Sequence, residues 1–236
     1  MSLTKAKGNM YPWVTHTHTH LGGECPHKCI YCYVNGFRGR AKKYQGELRL
    51  IEDEFKVNYG TGKTIFIEHC NDLFAAAVPD DFIVRILEHC REWPSNTYVF
   101  QTKNPSRYRA FLNIFPPNTI FGTTVETNRE IPNISNAPAP ITRLLDMIAL
   151  KCMRWKVPTP RIFITIEPVL DFDVDMLALI ISKIEPEFLN LGADSKHHNL
   201  PEPSQAKIGE LVLALKEAGI EIREKHNLQR LVKRGS

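Results

Sequence analysis

The sequence predicts an α/β fold built on a mainly parallel sheet. Short β-branched apolar runs alternate with helix-length amphipathic stretches, and polar clusters follow the ends of the runs. The runs lack strict apolar–polar alternation, the pattern of parallel strands covered on both faces. In chain order the strands are Tyr11–His18, Thr64–His69, Thr97–Thr102, Thr119–Thr124, Arg161–Glu167 and Phe188–Gly192, six in all.

Helical patterns fill the gaps. Asp80–Trp93 carries Ile83, Ile86, Leu87 and Cys90 on one stripe, with Asp80 as N-cap and Pro94 as stop. Ile141–Trp155 and Asp175–Ile184 repeat the pattern, and Cys90 and Cys152 fall on helical faces and read as core. Ser204–Ala218 opens on a serine cap and ends at Gly219. The Pro- and Asn-rich stretch Ile131–Pro140 reads as a long loop within one domain, residues 1–236 with a core of about 11–228. Such βα units form either an open, partial barrel or a doubly wound sheet, because a full eight-unit barrel typically needs about 250 residues. The C-terminal "EIREKHNLQRLVKR" is expected at the sheet edge.

Composition narrows the functional classes. With 43% hydrophobic residues in 236, a core forms without disulfide staples. No apolar run reaches the roughly 18 residues of a membrane span. The start "MSLTKAKGNMYPW" lacks the apolar core of a secretory signal, so the expected compartment is the cytoplasm. A net charge of +4 is too mild to indicate nucleic acid by itself.

The polar clusters sit at one edge. "EHCND", "TKNP", "TTVETN", "IEP" and "GADSK" each follow a different strand. In parallel α/β folds ligands bind at the C-terminal edge of the sheet, so a functional site is expected there.

The densest chemistry lies in "GGECPHKCIYCYVNG", where Cys25, Cys29 and Cys32 form a C-x3-C-x2-C pattern. In a reducing compartment clustered cysteines bind metal or do chemistry. A loop this short can place three thiolates on three irons of a cubane and leave the fourth iron open. Zinc would need a fourth donor, from His16, His18, His20 or His27. The absence of a second CxxC pair favours iron–sulfur. The run "THTHTH" alternates three histidines on one face with three threonines on the other, for a metal, a polar pocket or a plain sheet face.

"CPHKCIYC" resembles the CxxxCxφC signature of the radical SAM superfamily, with Tyr31 as the aromatic residue. The motifs "EHCNDLFA", "FQTKNP", "GTTVETN", "TIEPVLDFD" and "LGADS" resemble those of a phage-associated radical SAM branch. More distantly, they resemble the spore photoproduct lyase group. The likeness runs from about Trp13 to Leu228. It implies a partial (β/α)6 barrel with the cluster loop after the first strand. The implied cofactors are a [4Fe-4S] cluster and S-adenosyl-L-methionine, cleaved reductively to a 5′-deoxyadenosyl radical, with a flavodoxin- or ferredoxin-like electron donor.

The resemblance also implies residue roles. Tyr31 would pack beside the adenine. The family's Gly-Gly-Glu segment is replaced by "HCNDL", so Asn71 or Asp72 would meet the methionyl amine. Lys103 would meet the carboxylate, since a lysine closing an apolar strand needs an anion. Thr124 and Glu126 would bond the ribose, and Glu167, held extended before Pro168, would orient ribose or substrate. Cys70, past a strand end, either returns a hydrogen atom to product or is a small buried hydrophobe.

"FRGRAKKY" brings Arg38, Arg40, Lys42 and Lys43 together with Tyr33, Phe37 and Tyr44 behind the cysteines. Cations interleaved with aromatics suit a nucleic acid or nucleotide, and a solvated basic loop is the plainer alternative. The competing identity is a zinc-stabilised α/β nucleic-acid-binding protein without redox chemistry, and a third is a radical SAM fold that no longer turns over.

Overall fold

The structure is a computed structural model that describes residues 3–36, 42–153, 160–196 and 198–232. Its elements in order are β1 (Thr4–Lys5), β2 (His16–His18), β3 (Leu21–Gly22), β4 (Arg49–Leu50), β5 (Thr64–Ile67), α1 (Asp80–Arg91), β6 (Thr97–Thr102) and β7 (Thr119–Thr124). They continue with α2 (Pro140–Lys151), β8 (Arg161–Ile166), α3 (Val174–Ile184), β9 (Phe188–Leu191), α4 (Gln205–Glu217), β10 (Glu221–Glu224) and α5 (Gln229–Val232).

Eight strands form one sheet in the order β1-β2-β5-β6-β7-β8-β9-β10, while β3 and β4 form a separate ribbon. Only β1 runs antiparallel to its neighbour in the large sheet. The order never reverses, so there is no topological switch point of the doubly wound kind. Right-handed crossovers that always step the same way place their helices on one face.

Alternation along the strands separates two faces. Ile65, Ile67, Tyr98, Phe100, Phe121, Ile162, Ile164, Ile166, Leu189 and Leu191 join helix residues such as Ile83, Met147, Ile181 and Leu211 in the main core. Their neighbours Phe66, Val99, Ile120, Phe163 and Phe188 point the other way and pack with Tyr11 and Val14. The runs look continuous because both faces are covered, one of them by the N-terminal segment instead of helices. Trp13 stacks on Tyr11 at 5.3 Å and meets Phe163 and Phe188 edge-on.

Several boundaries differ from the sequence expectation. The first strand begins at His16, because Tyr11–Val14 closes as a turn (Val14 N to Tyr11 O, 3.0 Å) that delivers aromatic rings to the second face. The second stops at Ile67, since Glu68 takes a left-handed conformation with φ 58°. Pro79, not Asp80, occupies the cap position of α1, and Asp80 lies in its first turn. The second predicted helix ends at Lys151, so Cys152 is past it and exposed, not core; Trp155 lies outside the described residues. Ser204 does cap α4, its hydroxyl accepting from Lys207 N at 3.3 Å. The C-terminal segment supplies β10, the edge strand on β9. Among the described residues no helix is long and apolar enough to cross a membrane.

Candidate functional site at the C-terminal edge of the sheet

The ends of β5, β6, β7, β8 and β9 carry the polar clusters at one edge. Asp72 ties the first two of them to the cysteine loop. Its carboxylate accepts from Thr102 Oγ1 at 2.6 Å, Lys103 N at 2.7 Å, Phe74 N at 3.0 Å and His27 Nε2 at 2.9 Å. Burial opposes its charge, but the His27 bond and charge, with the other donors, hold it below the usual carboxylate range. Thus His27, inside the cysteine loop, is pinned to the end of β6. Asn71 beside it donates to Gly23 O at 3.2 Å and accepts from Asp72 N at 2.9 Å.

The three cysteines lie between this anchor and the long loop after β7. Ile30 N donates to Ile134 O at 3.0 Å, Asn136 N to His27 O at 2.7 Å, and Cys29 Sγ stands 3.1 Å from Ser135 Oγ. Cys29 is buried, while Cys25 and Cys32 are half-buried. Burial pushes the Cys25 thiol up to about 12, with the nearby Asp72 charge adding to it, and burial also raises Cys32. Thiols so placed ionise when a metal cation takes the charge.

Among the described residues no three His, Cys, Asp or Glu side chains are grouped to hold a single metal ion. Thiolates that each take a different iron of one cluster need not meet at a point. Two of the histidines a zinc tetrahedron would draw on are committed elsewhere: His27 to Asp72, and His20 to Glu68 at 2.8 Å. The donor set therefore fits three-thiolate ligation of a cluster better than a closed zinc site.

A charged group adjoins the cysteines through Tyr31. The Tyr31 hydroxyl donates to Glu126 Oε1 and accepts from Lys103 Nζ at 2.9 Å. Lys103 Nζ also bonds Glu126 Oε1 and lies 5.1 Å from the Tyr31 ring centre. Arg143 Nη1 bonds Glu126 Oε2 at 2.8 Å and Thr124 O at 2.9 Å. Glu126 is 3% exposed; burial opposes its charge, but Lys103 and Arg143 outweigh it and bring the carboxyl down to about 2. Two cations against one carboxylate leave one positive charge over. Glu126 and Arg143 also line a cavity of about 210 Å³ with Ile131, Ile134 and Leu170.

The remaining sequence candidates are placed as follows. Thr124 Oγ1 accepts from Gln101 Nε2 at 2.6 Å. Glu167, joined to Pro168 by a cis peptide, accepts from Lys225 Nζ at 2.7 Å, Asn227 Nδ2 at 2.8 Å and Asn9 Nδ2 at 3.0 Å. Cys70 is buried with Sγ 3.1 Å from His69 Nε2; burial raises its thiol, against hydrogen bonds from Tyr44 and Tyr33. Lys43 Nζ bonds Glu54 at 2.9 Å, while Phe37, Arg38 and Arg40 lie outside the described residues.

Sequence reasoning missed Arg143, Lys225 and Asn227, and named His27 only as a possible zinc donor, not as the partner of Asp72. Arg143 had a signal: it shares the i, i+4, i+7 stripe of Met147 and Leu150, where a charge requires a buried partner. The other three sit in segments without periodicity.

A family model described as a protein of unknown function (DUF5131) matches residues 12–227. No curated protein sequence matches. Among solved structures, spore photoproduct lyase with bound AdoMet and dinucleoside spore photoproduct superposes with a TM-score of 0.56. The two are 12% identical over 89% of this chain and 63% of that one. Two variants of the same lyase give TM-scores of 0.62 and 0.61 at 11% and 10% identity, covering 94% and 91% of this chain and 80% and 78% of theirs. At such identities the likeness is one of fold.

Proposed function

We propose that this chain, which belongs to the DUF5131 family, is a radical SAM enzyme in which Cys25, Cys29 and Cys32 hold a [4Fe-4S] cluster at the mouth of a partial (β/α)6 barrel. The observation that carries this reading is the junction at Tyr31. It joins the three-cysteine loop to a Lys103–Glu126–Arg143 group with one positive charge to spare. A site with three thiols and a surplus cation suits a cluster beside an amino-acid carboxylate. When bound, the cluster would supply the electron that cleaves S-adenosylmethionine to a 5′-deoxyadenosyl radical.

The chain's own residues bind and orient. Lys103 offers the spare charge to the methionyl carboxylate. Asn71 and Asp72 stand at the turn assigned to the methionyl amine, and Asp72 also pins the cysteine loop through His27. Tyr31 covers the adenine, Thr124 and Glu126 face the ribose, and Glu167, fixed by Lys225 and Asn227, orients ribose or substrate. Burial disfavours the Cys70 thiolate and so favours the S–H form, which a hydrogen-atom donor needs.

The substrate class in this reading is a nucleic acid or nucleotide. It is supported by the fold shared with an enzyme solved with a dinucleoside photoproduct and by the basic–aromatic run behind the cysteines. A flavodoxin- or ferredoxin-like protein would deliver the electron.

Anaerobic reconstitution with iron and sulfide tests the reading. The expected product is brown, loses its colour on Cys25→Ala, Cys29→Ala or Cys32→Ala, and forms 5′-deoxyadenosine from S-adenosylmethionine under dithionite. A colourless protein that carries zinc instead would overturn it.

A further inference from the structure

The alternating run "THTHTH" and the Glu68–His69 pair just before Cys70 find no use in the site above, yet they meet. Backbone pairing of β2 with β5 ends at His18 and Ile67. Beyond that point side chains continue it. Glu68 N still donates to His18 O at 2.8 Å, and then its carboxyl turns across. Oε1 accepts from His20 N at 2.7 Å and lies 2.8 Å from His20 Nδ1; Oε2 accepts from Leu21 N at 3.1 Å. One residue on, Thr19 Oγ1 lies 3.0 Å from His69 Nδ1, and His69 Nε2 lies 3.1 Å from Cys70 Sγ.

The far side of His20 is held as firmly. His20 Nε2 is 2.9 Å from both His89 Nδ1 and the Tyr59 hydroxyl. The side chains of His20 and Glu68 are 0% and 1% exposed. Such a buried polar group is retained at a cost unless it is fully bonded and specifies one arrangement. Burial pushes the Glu68 carboxyl up and the His20 imidazole down, so it works against the charged form of each.

We propose that Glu68 is a positioning residue whose carboxyl locks the start of the cysteine loop to the turn carrying Cys70. It grips the amides of His20 and Leu21 just before Gly22–Cys25, and its own backbone leads directly into His69 and Cys70. The clamp fixes how Cys70 faces the cysteines, and its catalytic consequence rests on the radical SAM reading above.

Two measurements on Glu68→Ala and Glu68→Gln test it. Amide hydrogen exchange at His20 and Leu21 is read on the full chain without iron. Dithionite-driven cleavage of S-adenosylmethionine is then read per loaded cluster. Glu68→Ala is expected to lose protection at both amides and to cleave about tenfold slower per cluster, as for other residues that orient a metal site from behind. Glu68→Gln, which keeps an acceptor for one amide, falls between. A purely structural role would lower Tm and iron loading without changing the rate per cluster, and that result overturns the proposal, as does wild-type exchange at both amides. If Glu68→Ala does not fold, the exchange measurement on Glu68→Gln decides alone. A wild-type chain that takes up no iron would refute the radical SAM reading while the exchange result still decides the clamp.

Discussion

Glu126 shows how a single carboxylate can organise this site. It is buried, yet two cations and a phenol hold it ionised. Its pKa lies below the ordinary 4.5, so its charge stabilises the fold fully above that value. That contribution is lost as the pH falls from about 4.5 towards 2. Removing Arg143 leaves Glu126 with Lys103 and Tyr31 alone. Breaking one side of a buried pair costs about 3–5 kcal/mol. We expect Arg143→Met to lower unfolding free energy by about that order in urea titrations at pH 7, and the deficit to shrink as the pH falls below 4. The cysteines and Lys103 stand out in the sequence because each breaks a pattern, a dense cluster or a cation closing an apolar strand. His27 and Asn227 break none. Their partners are distant in the chain, and only the folded molecule brings them together.

At the scale of elements, strands were read well where β-branched runs are buried on two faces, and poorly where pairing is short. β1, the β3–β4 ribbon and β10 have two, two and two, and four residues respectively, too few for a periodicity to register. The boundary of β5 depends on the backbone of one residue, Glu68, which no propensity scale assigns to a left-handed turn. On β7, Gly122 leaves room for a neighbour. A Cβ there would stand 2.2 Å from the Phe163 ring, which is stacked on Phe188 at 5.5 Å and bounded by Trp13. The ring has nowhere to move. Gly122→Ala should therefore destabilise by about 1–3 kcal/mol through overpacking, seen as a lower denaturation midpoint at unchanged slope.

For the whole molecule, the six predicted strands and four predicted helices reappear in a mostly parallel sheet whose monotonic order lacks the reversal of a doubly wound fold. Function was less legible, because substrate contacts depend on loops whose residues carry charge but no pattern. The proposed nucleic-acid substrate is a property of the entire surface and has a whole-molecule test. Binding to a short single-stranded oligonucleotide should weaken between 50 and 200 mM salt, with a logarithmic slope of roughly −0.7 per phosphate neutralised. Absent or salt-independent binding would remove that substrate class.

The aromatic packing of Tyr11 and Trp13 on Phe163 and Phe188 has one more effect. It stoppers the second face of the sheet at the end remote from the cysteines. In the radical SAM reading, a face plugged at that end would leave the polar strand ends as the doorway for cofactor, substrate and spent fragments alike. Traffic there would then share control of turnover with the chemistry.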